Sequence, residues 1–209
     1  MKASAKSKAA PSIDTEKDED DVGTRILDAA RDHFALVGLR RTSMEDVAKR
    51  AGISRITVYR RFPNKGELTQ AVMLREARLA FGKIEDGLHE ASLEDALVEG
   101  FVRTLQIGRT HPLVTGLLAT EPEVILPYFT IDASPILATA TAFLADRLRR
   151  KTRELDHATA VPIAEVLVRM TVSFLLTPKG AVDLSSEKQI RAFARRYIVK
   201  WVRAWVPVS

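Results

Sequence analysis

The sequence predicts an all-α protein, with a small N-terminal three-helix domain and a larger helical domain behind it. Three observations carry that prediction. Apolar residues recur at intervals of three and four along most of the chain, the period of an amphipathic helix. Ser, Thr or Asn followed three residues later by Glu or Asp stands where several of those stretches begin, as in Thr42/Glu45, Asn64/Glu67 and Ser92/Asp95. No stretch alternates with the period of two that marks a half-buried strand.

Residues 1–20 are polar, with four lysines, five acidic residues and Ile13 as the one large apolar side chain, and read as a disordered tail. Val22, Ile26, Ala30, Phe34 and Val37 then line one face of a first helix, which Gly38 ends. Thr42 with Glu45 predicts a second helix starting near Ser43, with Met44, Val47, Ala48 and Ala51 on its apolar face. Gly52 closes it, Ile53 plugs the turn, and Ser54 caps a short third helix to about Phe62. Val58 and Phe62 face inward there, leaving Arg55, Ile56, Thr57, Tyr59, Arg60 and Arg61 outside. Phe34, Met44, Val47, Ile53, Val58 and Phe62 are the expected core of this domain, and a long helix from Lys65 to about Gly87 follows it.

Ser92 caps a helix carrying Leu93, Leu97, Phe101 and Leu105, which His111-Pro112 breaks. A shorter helix from Leu113 to Thr120 precedes breaks at Glu121-Pro122 and Pro127-Tyr128-Phe129. Ser134-Pro135 reads as a cap with proline in the first turn of a helix that runs through Phe143 and Leu148 to about Leu155. Ile163 to Leu176 is apolar nearly all round and must be covered on two sides. Ile190, Ala194, Tyr197, Trp201 and Trp205 form a seam on the last helix, opposite Arg191, Arg195, Arg196 and Lys200. An intramolecular helix pair would satisfy these patterns; a dimer interface made of Ile163, Leu167, Met170 and that seam is the reading adopted here.

Composition excludes several function classes. The 209 residues contain no cysteine, which removes thiol catalysis, disulfides and thiolate metal sites and suits a reducing cytoplasm. No apolar run approaches the roughly 18 residues of a membrane span, and no signal-peptide core is present. His33, His89, His111 and His157 are scattered, without the spacing of a metal site, and neither a G-x-S-x-G turn nor a glycine-rich phosphate loop occurs. Neither enzyme chemistry nor a cofactor is expected. Charge is informative by its distribution: residues 38–65 hold eight basic and two acidic residues, net +6, so the rest of the chain carries −1 of the total +5. Such a local excess is an electrostatic footprint for phosphates.

Two short helices joined by a glycine turn, the second basic and aromatic outside, read as a helix-turn-helix. The stretch resembles the DNA-binding domain of the tetracycline-repressor (TetR) family of bacterial transcriptional regulators. Thr42, Val47, Ala48, Ala51-Gly52-Ile53-Ser54, Thr57-Val58-Tyr59, Phe62, Lys65 and Leu68 carry the resemblance, which extends from roughly Ile26 to Val72. Arg55-Ile56 stand where the family often has Gly, Ala or Pro, a departure that bears on the operator sequence and not on groove reading. A recognition helix places its N-terminal side chains on base edges. Arg55 is therefore the expected base reader, because guanidinium pairs bidentately with guanine, and Ile56 can touch a thymine methyl. Arg61 is a second base or phosphate candidate and Arg60 a weaker one; Ser54 belongs to the same surface. Thr42 or Ser43 can offer a hydroxyl at a helix N-terminus, and the resemblance puts Thr57, Tyr59 and Lys65 at phosphates.

The resemblance also implies pairing of the last two helices with their symmetry mates in a four-helix bundle, and an inducer pocket between about residues 90 and 180. Phe101, Leu105, Leu117, Leu118, Phe129, Phe143, Met170 and Phe174 are candidate wall residues or plain core, and His111 lies where family members often line the cavity. The expected organisation is a tail (1–20), a DNA-binding domain (21–66) and a ligand-binding and dimerisation domain (67–209). The expected protein is a cytoplasmic homodimer without metal or membrane, most simply a repressor released from a palindromic operator on double-stranded DNA by a small hydrophobic molecule. A helical small-molecule-binding or scaffold protein without operator function is the alternative.

Overall fold

A computed structural model of the protein describes residues 13–86, 88, 92–152 and 155–206, with side chains from Asp21 onward, and every described regular element is helical. The chain divides into two compact units, Met1–Thr69 and Gln70–Ser209.

In the first unit, helix α1 spans Ile13–Val37, so it begins inside the stretch expected to be disordered. Ile26 and Phe34 anchor this helix further on, and residues 1–12 lie outside the described ones. Gly38, at φ 89°, ends α1 and donates its N–H to Phe34 O at 3.0 Å. Helix α2 (Met44–Ala51) is capped one residue later than Thr42/Glu45 predicted. Ser43 is the cap: its Oγ accepts Asp46 N–H at 3.1 Å, while Asp46 Oδ2 accepts Ser43 N–H at 3.1 Å. The Ser43 hydroxyl, then its N–H, holds the Asp46 carboxyl below the usual 3.8. The shift of register has a steric reason, since Thr42 is buried and its hydroxyl donates inward to Gly38 O at 2.7 Å.

Gly52, at φ 64°, closes α2, and Arg25 Nη2 from α1 donates to Ala51 O at 2.9 Å, pairing one of the carbonyls that a helix end leaves open. Ser54 caps α3 (Arg55–Arg61), accepting Thr57 N–H at 3.2 Å. Asn64 and Glu67 bond reciprocally, Glu67 N–H to Asn64 Oδ1 at 2.9 Å, where α4 (Lys65–Glu85) starts. Ile26, Phe34, Leu39, Val47, Val58 and Leu68 are the largest fully buried side chains of this unit. Ile53 and Phe62, expected in that core, are only half-buried; Leu39 and Leu68 fill it instead. Helix α4 itself crosses the division between the units.

The second unit adds α5 (Leu93–Thr110), α6 (Pro112–Thr120), α7 (Pro122–Ile125) with a 3₁₀ turn (Leu126–Phe129), α8 (Ser134–Lys151) and α9 (His157–Leu176). The last helix, α10 (Glu187–Phe193), runs on through a π-helical segment (Ala194–Val199) and a final turn (Lys200–Arg203). Ser92, His111, Asp156 and Ser186 cap α5, α6, α9 and α10 by accepting a backbone N–H. Ser134 does not cap α8: it is the first helical residue, after Ala133, and no side chain caps that end. α8 also stops at Lys151, short of Leu155, which is buried in the core.

The core packs α5, α8, α9 and α10 with its continuation, through Phe101, Leu105, Leu148, Ile163, Leu167, Ile190, Ile198 and Val202. α5 and α9 approach closely at Gly108, where a Cβ would stand 2.7 Å from Leu175 Cδ2. α9 deserves a correction of another kind. It is 20 residues long and an 18-residue stretch of it reaches a mean hydropathy of 1.6, enough by length and composition to span a membrane. Here it packs on α8 and α5 and buries Ala160, Ile163, Ala164 and Leu167 in the core of the unit.

The expected seam on the last helix is reordered. Ile190, Ala194, Ile198 and Val202 are buried, whereas Tyr197 and Trp205 are exposed and Trp201 is half-buried. A π segment bonds i to i+5 and underwinds the helix, so residues four apart stay in line through it. The stripe entering the core is thus Ile190-Ala194-Ile198-Val202, and Tyr197 turns outward. Ile163 and Leu167, also expected at an interface, are buried in the protomer's own core, and Met170 is half-buried.

Candidate nucleic-acid interface and ligand cavity

Gly52 and the Ser54 cap present α3 with its outer face open. Arg55 and Arg60 are exposed, Ile56 is 82% exposed and Tyr59 41%. Ser54 and Thr57 share a hydroxyl hydrogen bond of 2.8 Å at the start of the helix. An isoleucine so exposed contributes nothing to the fold and is available to a partner.

Glu45, on α2, is a member of this surface that sequence reading assigned to a cap. It accepts from Arg55 Nη2 and, at 3.4 Å, from Tyr59 Oη. Its own backbone N–H, then the Arg55 charge and Tyr59, hold its carboxyl below the usual 4.5. Glu45 therefore orients the guanidinium before any DNA arrives. Ten residues separate Glu45 from Arg55, and no local periodicity links them; only the turn between the helices brings them together.

Three expected contacts are placed otherwise. Thr42 is buried and its hydroxyl donates to Gly38 O, while the Ser43 hydroxyl is taken up in the cap of α2. The Arg61 guanidinium lies over α1, where a Cβ at Gly23 would stand 3.4 Å from Arg61 Nη2, away from the N-terminal end of α3. Lys65 Nζ donates to Leu39 O at 2.9 Å, Thr42 O at 3.0 Å and Arg40 O at 3.3 Å. All three of its donors tie the loop before α2 to α4, which is a structural task. Lys65→Ala leaves these carbonyls without their cation and is expected to lower stability by about 1–3 kcal/mol, while the salt dependence of DNA binding keeps its slope. Loss of a phosphate contact would instead lower that slope by about 1, so thermal unfolding beside a salt titration separates the two roles.

The second unit encloses a cavity of about 790 Å³, within the range of small-molecule sites. Phe101, His111, Leu118, Phe129 and Phe143 line it as expected. Leu105 and Leu117 do not: both are fully buried core. Met170 and Phe174 pack against the core cluster instead of lining the cavity. Phe174 also meets Phe101 edge-on with ring centroids 6.3 Å apart.

Much of the wall comes from α4, outside the 90–180 window expected. Met73, Ala77, Ala80 and Ile84 line the cavity, and Phe81 stacks on Phe143 with centroids 5.0 Å apart. Among these apolar residues stands Glu76, 8% exposed, with Oε2 3.3 Å from His111 Nε2. The sequence signal was available: an acid at position 76 interrupts the apolar face of Met73, Ala77 and Ala80. Among the described residues no cluster of His, Cys, Asp or Glu is grouped to hold a metal ion.

Comparison with known proteins agrees with both halves of this geometry. Residues 26–72 match the family described as bacterial regulatory proteins, tetR family, and residues 92–196 match the bacterial tetracyclin repressor, C-terminal domain. The chain is similar to the HTH-type transcriptional regulator AlkX of Mycobacterium tuberculosis, 29% identical over 184 residues, covering 82% of this chain and 84% of that protein. It is 31% identical over 158 residues, 74% of each protein, to the uncharacterised HTH-type transcriptional regulator MT1294 of the same species. Among solved structures it resembles a TetR family repressor, AlkX from Dietzia sp. strain DQ12-45-1b, implicated in biodegradation of n-alkanes. That likeness has a TM-score of 0.71 and 26% identity and covers 88% of this chain and 97% of the other.

Proposed function

The chain belongs to the tetracycline-repressor family of non-enzymatic, DNA-binding transcriptional regulators, and from that premise we propose that it is a homodimeric repressor released from a palindromic operator by a small apolar or amphipathic molecule. The observation that carries the DNA half is the exposed face of α3, with Ile56 82% exposed and Arg55 held ready by Glu45. A solvent-facing isoleucine beside an oriented guanidinium suits a thymine methyl beside a guanine edge.

The cavity supports the ligand half: about 790 Å³ with mostly apolar walls from α4, α5, α8 and α9. Similarity to AlkX of Dietzia, a repressor implicated in n-alkane biodegradation, favours a compound with an alkyl chain. Binding would favour a conformer whose two recognition helices no longer match successive major grooves. Helix α4 supplies Lys65 to one unit and Glu76 to the other, which makes it the natural carrier of that coupling.

Support for the dimer comes from apolar side chains left uncovered on α9 and along the continuation of α10. Val166 and Tyr197 are about half exposed, at 50% and 53%, and Trp205 is 55% exposed. Phe193 bridges Tyr197 and Phe174, with centroids at 5.1 Å and 5.3 Å. Aromatic residues so placed are typical interface anchors, and a partner over these side chains would also cover the second side of α9. Retention of an operator from the chain's own upstream DNA in a gel shift, at ratios of cognate to random binding near 10³ or above, is the expected result. Binding that random DNA competes away equally would favour the scaffold reading. A bacterial regulator acting on the chromosome works in the cytoplasm, which the absence of cysteine suits.

A further inference from the structure

We propose that the ligand carries a hydroxyl group on its apolar body and that Glu76, oriented by His111, recognises it; the inference rests on the cavity being the inducer site. Glu76 is 92% buried, reached from α4, and lines the cavity. Its two oxygens differ. Oε2 lies 3.3 Å from His111 Nε2. Val114 N–H donates to His111 Nδ1 at 3.5 Å, so Nδ1 is the acceptor of the ring and Nε2 carries the proton toward Glu76. Oε1 is buried and meets no hydrogen-bond donor among the described residues. A buried acceptor left open costs free energy that a donor on a ligand recovers.

The surroundings decide which donor fits. Met73, Ala77 and Ala80 flank Glu76 on α4, and Val114 and Leu118 follow His111 on α6. An ammonium would pair its charge with Glu76, but it brings three N–H donors and Oε1 has two lone pairs, so at least one donor is left unpaired among apolar walls. A carboxylate brings only acceptors and a charge of the same sign as Glu76. It would have to turn to the cations of the cavity: Arg109, Arg147 and Arg169 are held by Leu184 O, Glu85 and Glu165 respectively, which leaves Lys151 in the last turn of α8. A hydroxyl brings one donor, for one open acceptor, and no charge. The site is therefore matched to an alcohol with a long or bulky apolar body.

The test uses the full chain and four ten-carbon probes that differ only at the head: decane, 1-decanol, decanoate and decylamine. Each displaces the fluorescent apolar probe N-phenyl-1-naphthylamine from the protein. Wild type is expected to bind 1-decanol about 10- to 100-fold more tightly than decane, the worth of one hydrogen bond to such a group, and to bind decanoate and decylamine less tightly than the alcohol. Glu76→Ala should erase the preference for the alcohol over decane. Glu76→Gln, which keeps an acceptor oxygen and the shape, should retain part of it and guards against a variant that fails to fold. Tighter binding of decanoate or decylamine than of decanol overturns the proposal, as does a decanol preference that survives Glu76→Ala; decanoate binding that Glu76→Ala leaves intact would point to Lys151 instead. Equal binding of all four probes defeats the hydroxyl while leaving the cavity as the ligand site. Failure of the protein to take up N-phenyl-1-naphthylamine or any of the four defeats the cavity reading and this inference together.

Discussion

Replacing Val166 and Tyr197 together by Asp is expected to yield a folded monomer that binds its operator at least about 100-fold more weakly, although neither substitution touches the first unit. Both side chains are about half exposed in the single chain, at 50% and 53%, so the protomer's own core does not need them. Two charges placed at the centre of an apolar interface lose their water without finding partners. Once the dimer is gone, the second recognition helix no longer binds as part of the same molecule, and the gain of about 10²–10⁴ that such linkage gives is lost. Sedimentation and a gel shift on the same samples check this. A folded double variant that stays dimeric would show that this surface is not the interface. A folded monomer that binds as tightly as wild type would show that dimerisation does not set DNA affinity. Trp201→Ala is a poorer test, because Trp201 is half-buried against the core and its truncation also destabilises the fold.

Arg55→Ala is expected to cost about 1–3 kcal/mol on the cognate site and to relax preference at one base pair. Glu45 sharpens this expectation. In the free protein its carboxylate accepts from Arg55 and Tyr59, which biases the guanidinium toward one side of the recognition face. Arg55→Lys should then behave almost like alanine, since an ammonium cannot form the planar two-point contact. Competition binding against sites varied one base pair at a time measures the effect. Equal losses on cognate and random DNA would identify Arg55 as a phosphate contact only.

The helix-turn-helix was legible because its information is local. Gly52, Ser54 and the Val47/Ala48/Ala51 face lie within one turn of what they specify, and each keeps its expected role. The failures share a cause: they depend on residues distant in sequence. Thr42 carried the right residue type for a cap, but tertiary burial gave the cap to Ser43. Lys65 had the charge of a phosphate ligand, yet three carbonyls from residues 39–42 claim it. Arg61 lies over Gly23, on a helix nearly forty residues earlier. In the last helix the amphipathic pattern was read with one pitch throughout, and the π segment changes that pitch at Ala194–Val199, moving Tyr197 out and Ile198 and Val202 in. Cavity walls were the least legible. An apolar residue beside a void and one beside another side chain look alike in sequence, so Leu105 and Leu117 could not be told from Phe101 and Leu118. Glu76 was missed although its signal was there, a charged residue on an apolar face.

The proposed regulator couples an operator-reading surface to an apolar cavity. Fluorescence anisotropy of the full chain on labelled upstream DNA, with and without a saturating apolar ligand, tests it most directly. The account predicts tight, sequence-preferring binding without ligand and a loss of about 5- to 150-fold with it, the usual size of such coupling. Affinity for the cognate site that equals affinity for random DNA, or that stays unchanged when the cavity is demonstrably filled, would contradict it.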